Sequence, residues 1–166
     1  MTANFTRRQL IAGAGIAGLA ATTTQVAAQT KATDKTFDRT QVEGTARYFQ
    51  NCIRSGNLDG ALSCFDAEAV YVASPGKVVR GSAEIRKALE SLIAMKPNLQ
   101  AKRSLILEVA GLASLVDEWS LKATLPGGKK LVMTGASSDI MKKQADGTWV
   151  YLVDNPYGAA ALPKST

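Results

Sequence analysis

The sequence contains no histidine. That removes the side chain that titrates nearest neutrality, the commonest zinc ligand and the base of every Ser-His or Cys-His pair. Acid–base chemistry therefore falls to Asp, Glu, Tyr, Lys or Cys. Cysteine is scarce: Cys52 and Cys64 are too few for a zinc finger, or to hold an iron–sulfur cluster alone. Neither a metal nor a cofactor is expected. Long apolar runs are missing too, since Leu10 to Ala21 falls short of the roughly 20 residues that span a bilayer as a helix. Aromatics make up 6% and do not interleave with basic residues. The densest basic pairs, Lys102-Arg103, Lys129-Lys130 and Lys142-Lys143, are dispersed, which excludes a nucleic-acid stripe. What remains is ordinary for a folded protein: 166 residues, 46% hydrophobic and 20% charged, enough for one domain with a core of normal size.

The first residues read as an address. Thr6-Arg7-Arg8-Gln9-Leu10 precedes the Gly- and Ala-rich apolar run, and Val26-Ala27-Ala28 offers small residues for cleavage before Gln29. Residues 1–28 resemble a twin-arginine export signal; the alternative is a general secretory signal whose arginines are its positive end. Either way the expected location is periplasmic or secreted, with membrane contact only during export. Cleavage would remove two arginines and no acid, leaving a net charge of +4.

Residues 29–39 read as a flexible lead, 40–158 as one domain and 159–166 as a tail. Thr40-Gln41-Val42-Glu43 has the pattern of a capping box. Val42, Ala46, Phe49 and Ile53 then recur at helical spacing until Ser55-Gly56 stops the helix. Asn57 caps a second short helix through Leu58, Ala61, Leu62 and Phe65. Two short strands, Ala69 to Ala73 and Val78 to Arg80, flank the turn Ser74-Pro75-Gly76-Lys77. Ser82 caps a third helix with the stripe Ile85, Leu89, Leu92 and Ile93, ended by Pro97. The period then drops to two: Leu99 to Ala110, Ala113 to Leu125, Lys130 to Lys143 and Trp149 to Asp154 are strands joined by short turns. Short turns between successive strands predict an antiparallel sheet, so the fold class is α+β.

Several local strings resemble the nuclear transport factor 2-like superfamily, which includes ketosteroid isomerases, SnoaL-like cyclases and scytalone dehydratase. They are Ala46-Arg47-Tyr48-Phe49, Gly56-Asn57-Leu58-Asp59-Gly60-Ala61-Leu62, Ala69-Val70-Tyr71-Val72-Ala73, Gly81, Asp146-Gly147-Thr148-Trp149 and Asp154-Asn155-Pro156. The resemblance covers about residues 40–158. It implies a cystatin-like, ketosteroid isomerase-like cone: a curved antiparallel sheet wrapped around three N-terminal helices, with a pocket at the open end. It also implies a homodimer through the outer face of the sheet. The isomerases of that group use a helical Tyr, an Asp base after the first short strand and a neutral Asp on a late strand. Aligned on Gly56, the tyrosine position falls on Phe49, with Tyr48 one residue, or about 100° of helix, away. The base position falls on Ala73 or Ser74, and neither can serve as a carboxylate base. The late Asp does match, as Asp139, eight residues before Gly147. The resemblance therefore implies a relative of the isomerases rather than a true ketosteroid isomerase.

Three carboxylates interrupt apolar strand faces. Asp117 stands among Ala113, Leu115, Trp119, Leu121 and Ala123, and Asp139 among Leu131, Met133 and Met141. Asp154 shares the parity of Val150 and Leu152. Burying a carboxylate is costly unless it is paired, hydrogen-bonded or protonated, and a pocket offers such partners. Blander readings stand beside this one: Asp117 at a bulge or on an exposed face, Asp139 paired with a lysine across the hairpin, Asp154 as a turn residue. Tyr71, Trp119, Met133 and Met141 equally suit a core. The candidate catalytic residues are Asp139, Asp154 and Asp117, with Asp139 as hydrogen-bond donor to an enolate and Asp154 or Asp117 as base. Tyr48, Tyr71, Trp119 and Met133 are the candidate pocket residues. Cys52 and Cys64, twelve residues apart, either bridge in an oxidising compartment or pack as small hydrophobes. The expected function is exported binding of a small apolar molecule, with cofactor-free isomerisation, dehydration or cyclisation as its catalytic form. The alternative is a non-catalytic dimerisation or partner-docking module.

Overall fold

The computed structural model describes residues 37–161. The export signal expected at 1–28, most of the lead and the end of the tail lie outside the described residues. Helix α1 (Val42–Ser55) and the short α2 (Leu58–Leu62) lead into strands β1 (Phe65–Ser74) and β2 (Lys77–Arg80). Helix α3 (Gly81–Ala94) follows, then β3 (Asn98–Val109), β4 (Leu112–Thr124), β5 (Lys130–Ala136), β6 (Asp139–Lys143) and β7 (Trp149–Asp154). The fold is α+β, with three helices and a curved, unclosed sheet. The strand order is β2-β1-β7-β6-β4-β3, and β5 pairs with β4 off that path.

Helix α1 follows its stripe: Val42, Ala46, Phe49 and Ile53 are buried, joined by Thr45 and Cys52. The Thr45 hydroxyl donates to the Trp149 carbonyl at 2.9 Å, which ties the helix to β7. Gly56 ends it in the left-handed conformation, φ 74°, where a side chain would be strained. The expected capping box does not form. Asp38 accepts both the Thr40 hydroxyl and N–H, and Glu43 pairs with Arg47 one turn on. Asn57 does cap α2, accepting the Gly60 N–H. Ser82 does not cap α3, whose N-cap is Arg80 with no side-chain hydrogen bond. Ile53, Ile85, Leu89, Leu115 and Met141 form the fully buried centre where helices meet sheet. Each such side chain contributes roughly 1.5–3 kcal/mol by leaving water. Cys52 and Cys64 are fully buried within it as thiols, and no disulfide joins them.

The sheet departs from the expectation in three places that matter for the site. It is mixed, because β1 runs parallel to β7. Short turns fix the direction of consecutive strands, but this pair is joined by the rest of the domain, so no turn constrains it. The single strand expected over 130–143 is broken at Ser137-Ser138 into β5 and β6, and the 13-residue β4 pairs with both. The inward parity survives the break, so Met133, Ser137, Asp139 and Met141 stay on one side. Finally, the register between β6 and β7 slips, from Ile140 opposite Val153 to Met141 opposite Tyr151. The extra residue, Leu152, is a bulge. It brings Tyr151 and Asp154 to one face, where strict alternation had grouped Asp154 with Val150 and Leu152.

Candidate functional site

A cavity of about 360 Å³ lies between α1, α3 and the inner face of the sheet. Its walls are largely apolar: Phe49 from α1, Ala88, Leu92 and Met95 from and just after α3, Leu99, Leu121 and Met133 from the sheet. Into these walls the strands set Asp117, Asp139 and Asp154, which are only 6%, 3% and 5% exposed.

Asp139 is the first residue of β6. Its Oδ1 accepts the Asn155 N–H at 2.8 Å and its Oδ2 accepts the Ser137 hydroxyl at 2.7 Å. Burial pushes its carboxyl up to about 7; those two hydrogen bonds oppose the rise, and the Asp117 charge adds to it. Asp154 closes β7. Burial drives its carboxyl well above the ordinary range, with the neighbouring Asp139 and Asp117 charges adding and no hydrogen bond opposing. Asp117 is also raised by burial, against a hydrogen bond from Ser104 and with the charge of Glu43. Its Oδ1 is buried with no hydrogen-bond partner. These directions belong to one set: acids this close in an apolar wall cannot all ionise.

The break between β5 and β6 makes the arrangement possible. Ser137 donates its N–H to the Asp117 carbonyl at 2.8 Å, and its Oγ accepts the Asp117 N–H at 3.2 Å while donating to Asp139. One hydroxyl thus ties two of the three acids to the same corner. Trp119 is held as firmly. Its indole N–H donates to the Pro156 carbonyl at 2.7 Å, and its ring lies over Gly135, where an added Cβ would stand 2.6 Å from the ring. Tyr71 lines the cavity with its hydroxyl pushed far up by burial and by Asp154.

Six of the seven sequence candidates therefore line one cavity: Asp117, Asp139, Asp154, Tyr71, Trp119 and Met133. Asp117 is neither exposed nor at a bulge. Tyr48 is a correction. It points a helical step away from Phe49, packing on Phe37 with ring centres 5.8 Å apart and under the Arg39 guanidinium at 5.2 Å. Phe49 fills the place on the cavity wall. Ser137, Tyr151, Tyr157 and Lys77 were missed. Ser137-Ser138 inside a strand pattern was a readable signal of a break; Tyr151 was hidden by the Leu152 bulge, which no alternation rule reports. Among the described residues no group of three or more His, Cys, Asp or Glu is arranged to hold a metal ion.

The model of the SnoaL-like domain matches residues 45–152. No curated protein matches the sequence. Several solved structures share the fold. A nuclear transport factor 2-like superfamily protein from Salmonella enterica is 15% identical, covers 74% of this chain and 89% of its own, and superposes with a TM-score of 0.62. A candidate ketosteroid isomerase from Shewanella frigidimarina is 18% identical over 66% of this chain and 89% of its own, with a TM-score of 0.59. A candidate scytalone dehydratase from Novosphingobium aromaticivorans is 13% identical over 68% of this chain and 78% of its own, with a TM-score of 0.63.

Proposed function

Because the chain belongs to the SnoaL-like domain family, we propose that its cavity binds a small, largely apolar molecule and moves a proton on it without a cofactor. The observation that carries this reading is the set of three buried acids in an otherwise apolar cavity of about 360 Å³. That volume suits a small molecule, and a few convergent polar groups in apolar walls are what orient one. Acids with separated proton affinities are also what acid–base catalysis needs. The hydrogen bonds on Asp139 support it as the base, since they stabilise its ionised form. Asp154, which has no such help, keeps its proton and donates to the oxygen on which charge develops. This exchanges the roles the sequence had suggested for the two. Isomerisation, dehydration and cyclisation are the reaction classes this set serves. The likeness to a candidate isomerase and a candidate dehydratase favours the same classes. The last two positions of β1, Ala73 and Ser74, line the cavity without a carboxylate, which sets the reaction apart from that of a true ketosteroid isomerase.

Two further parts of the reading rest on other features. The Arg7-Arg8 segment and the small residues before Gln29 support export to the periplasm or beyond. An exposed apolar row on the outer face of the sheet, including Leu105, Leu107, Val109 and Leu112, supports a homodimer. The test is native mass spectrometry of the protein recovered from its host, beside the Asp139→Asn variant. A small molecule should accompany the wild type and be lost from the folded variant. Equal occupancy in the two would remove Asp139 from the site. An empty cavity in both, with a dimer present, would favour a module that only docks or dimerises.

A further inference from the structure

We infer that the molecule taken up by this cavity is an organic cation: a small apolar body carrying a protonated amine. The inference rests on the reading that the cavity holds a small molecule, and it names the class. Its basis is the chemistry of the walls. Asp117, Asp139 and Asp154 face the cavity, whereas the basic residue on its lining is Lys77, exposed on β2. Asp117 Oδ1 supplies the second observation. It is a buried acceptor on a residue 6% exposed, and it has no hydrogen-bond partner. Such an atom carries a penalty of roughly 1–3 kcal/mol until a donor reaches it, and an ammonium group is a donor with no acceptor of its own. The rings of Tyr71, Trp119 and Tyr157 also line the cavity, and aromatic faces attract cations.

The two arginines that share a hollow with Asp117 are paired with other acids. Asp117 also borders a second, more polar hollow of about 440 Å³, shared with Arg47, Lys102 and Arg103. Arg47 is paired with Glu43 at 2.6 Å, and Arg103 is paired with Glu118. The described acids are not arranged to hold a metal ion, which leaves an organic cation as the charge complement. Leu92, Leu121 and Met133 surround the rest of the space with hydrocarbon, so the body of the molecule is apolar.

The inference fixes the sign of a pH dependence. The titratable groups that share the cavity with Asp139 are Asp117 on β4, Asp154 and Tyr151 on β7, Tyr71 on β1, Tyr157 beyond β7 and Lys77 on β2, with Glu43 acting through Asp117. Burial raises the three tyrosines, so they stay neutral. An ammonium binds best to an ionised acid, so its affinity rises with pH as a proton leaves. A neutral acceptor needs the acids protonated, and its affinity falls.

The experiment is calorimetry on the full chain with three probes of one shape: cyclohexylmethylamine, cyclohexylmethanol and cyclohexanecarboxylate. The amine should bind at least tenfold tighter than the alcohol, and the carboxylate should not bind. With Asp139 titrating at about 7, amine affinity should rise about tenfold between pH 6 and pH 8, with proton release seen in two buffers of different ionisation heat. Asp117→Asn should weaken the amine about tenfold and the alcohol by much less, so that the preference for the amine narrows. Amine and alcohol binding equally, amine affinity falling with pH, or magnesium ions stabilising the protein in place of the amine would each overturn the cation. Alcohol binding alone would leave the small-molecule reading standing. No binding by any probe would overturn the inference and count against that reading as well.

Discussion

The two faces of one sheet carry opposite polarity, and each is the reverse of what a soluble sheet usually presents. The inner face, toward the helices, holds Asp117, Asp139 and Asp154 at 6% exposure or less. The outer face of the same sheet holds Leu107 at 59% and Val109 at 71% exposure, with Leu105, Leu112, Val116 and Ile140 beside them. The pairings place these together: Leu105 opposite Val116, Val109 opposite Leu112, and Leu107 and Ile140 either side of Ser114. Burying acids works against folding, and exposing a continuous apolar row works against solubility. Neither helps an isolated domain. Together they are what the proposed ligand inside and the proposed second copy outside would each offset.

The sharpest way to break the comparison is to remove an inner acid. A carboxyl whose folded pKa lies above its unfolded value favours folding below the unfolded value, and that contribution is lost as pH rises through the folded one. For Asp139 the window runs from the ordinary carboxylate range, near 3.8, to about 7. Asp139→Asn should therefore be more stable than the wild type at pH 8, by on the order of 2–4 kcal/mol, with the two converging near pH 4. Urea unfolding across that range measures it. A gap independent of pH would mean that the burial of Asp139 carries no such penalty.

The outer face gives the next effect. Leu107→Lys with Val109→Lys places like charges where the proposed homodimer meets. Self-association should weaken at least 100-fold, about 2.7 kcal/mol, while binding in the cavity is unchanged. Sedimentation equilibrium reads the first and calorimetry the second. A wild type that is monomeric at micromolar concentration would leave the apolar row without its proposed cover.

The sequence announced the polarity inversion only on one side. Asp117 and Asp139 were legible because strand parity held through β4 and across the break into β6. Asp154 was legible as a carboxylate but was grouped with the wrong neighbours, because the Leu152 bulge is a matter of register between β6 and β7. The parallel pairing of β1 with β7 was invisible for a related reason: it joins strands separated by nearly the whole domain. The outer row was not read at all. Leu105, Leu107 and Val109 look like any apolar alternation, and only pairing and exposure say which face they are on. The helices were clearer, since Gly56 and the stripe through Phe49 are local signals, whereas the failed capping box turned on Asp38 competing for Thr40.

Within the cavity, Gly135→Ala sharpens the account of Trp119. The new methyl would meet the indole at 2.6 Å, closer than packed atoms approach. The ring must shift and strain its bond to Pro156, destabilising the fold by roughly 1–3 kcal/mol. A change in tryptophan fluorescence should accompany the loss; an unchanged spectrum at unchanged stability would show that the ring has room to move.

Tyr48→Phe supplies the smallest effect and the cleanest control on where the cavity ends. The substitution removes a hydroxyl and keeps the ring that Phe37 and Arg39 contact. That hydroxyl lies toward Cys52, and burial raises its pKa, so it takes no part in the charge balance of the inner face. Stability should change by no more than about 0.5 kcal/mol, and amine affinity and its pH dependence should be those of the wild type. Tyr71→Phe removes the same atom from inside the cavity, beside Asp154, and should alter the pH dependence. If Tyr48→Phe instead moved that profile while Tyr71→Phe left it alone, the functional boundary would run on the other side of α1, and the match between inner polarity and ligand would fail.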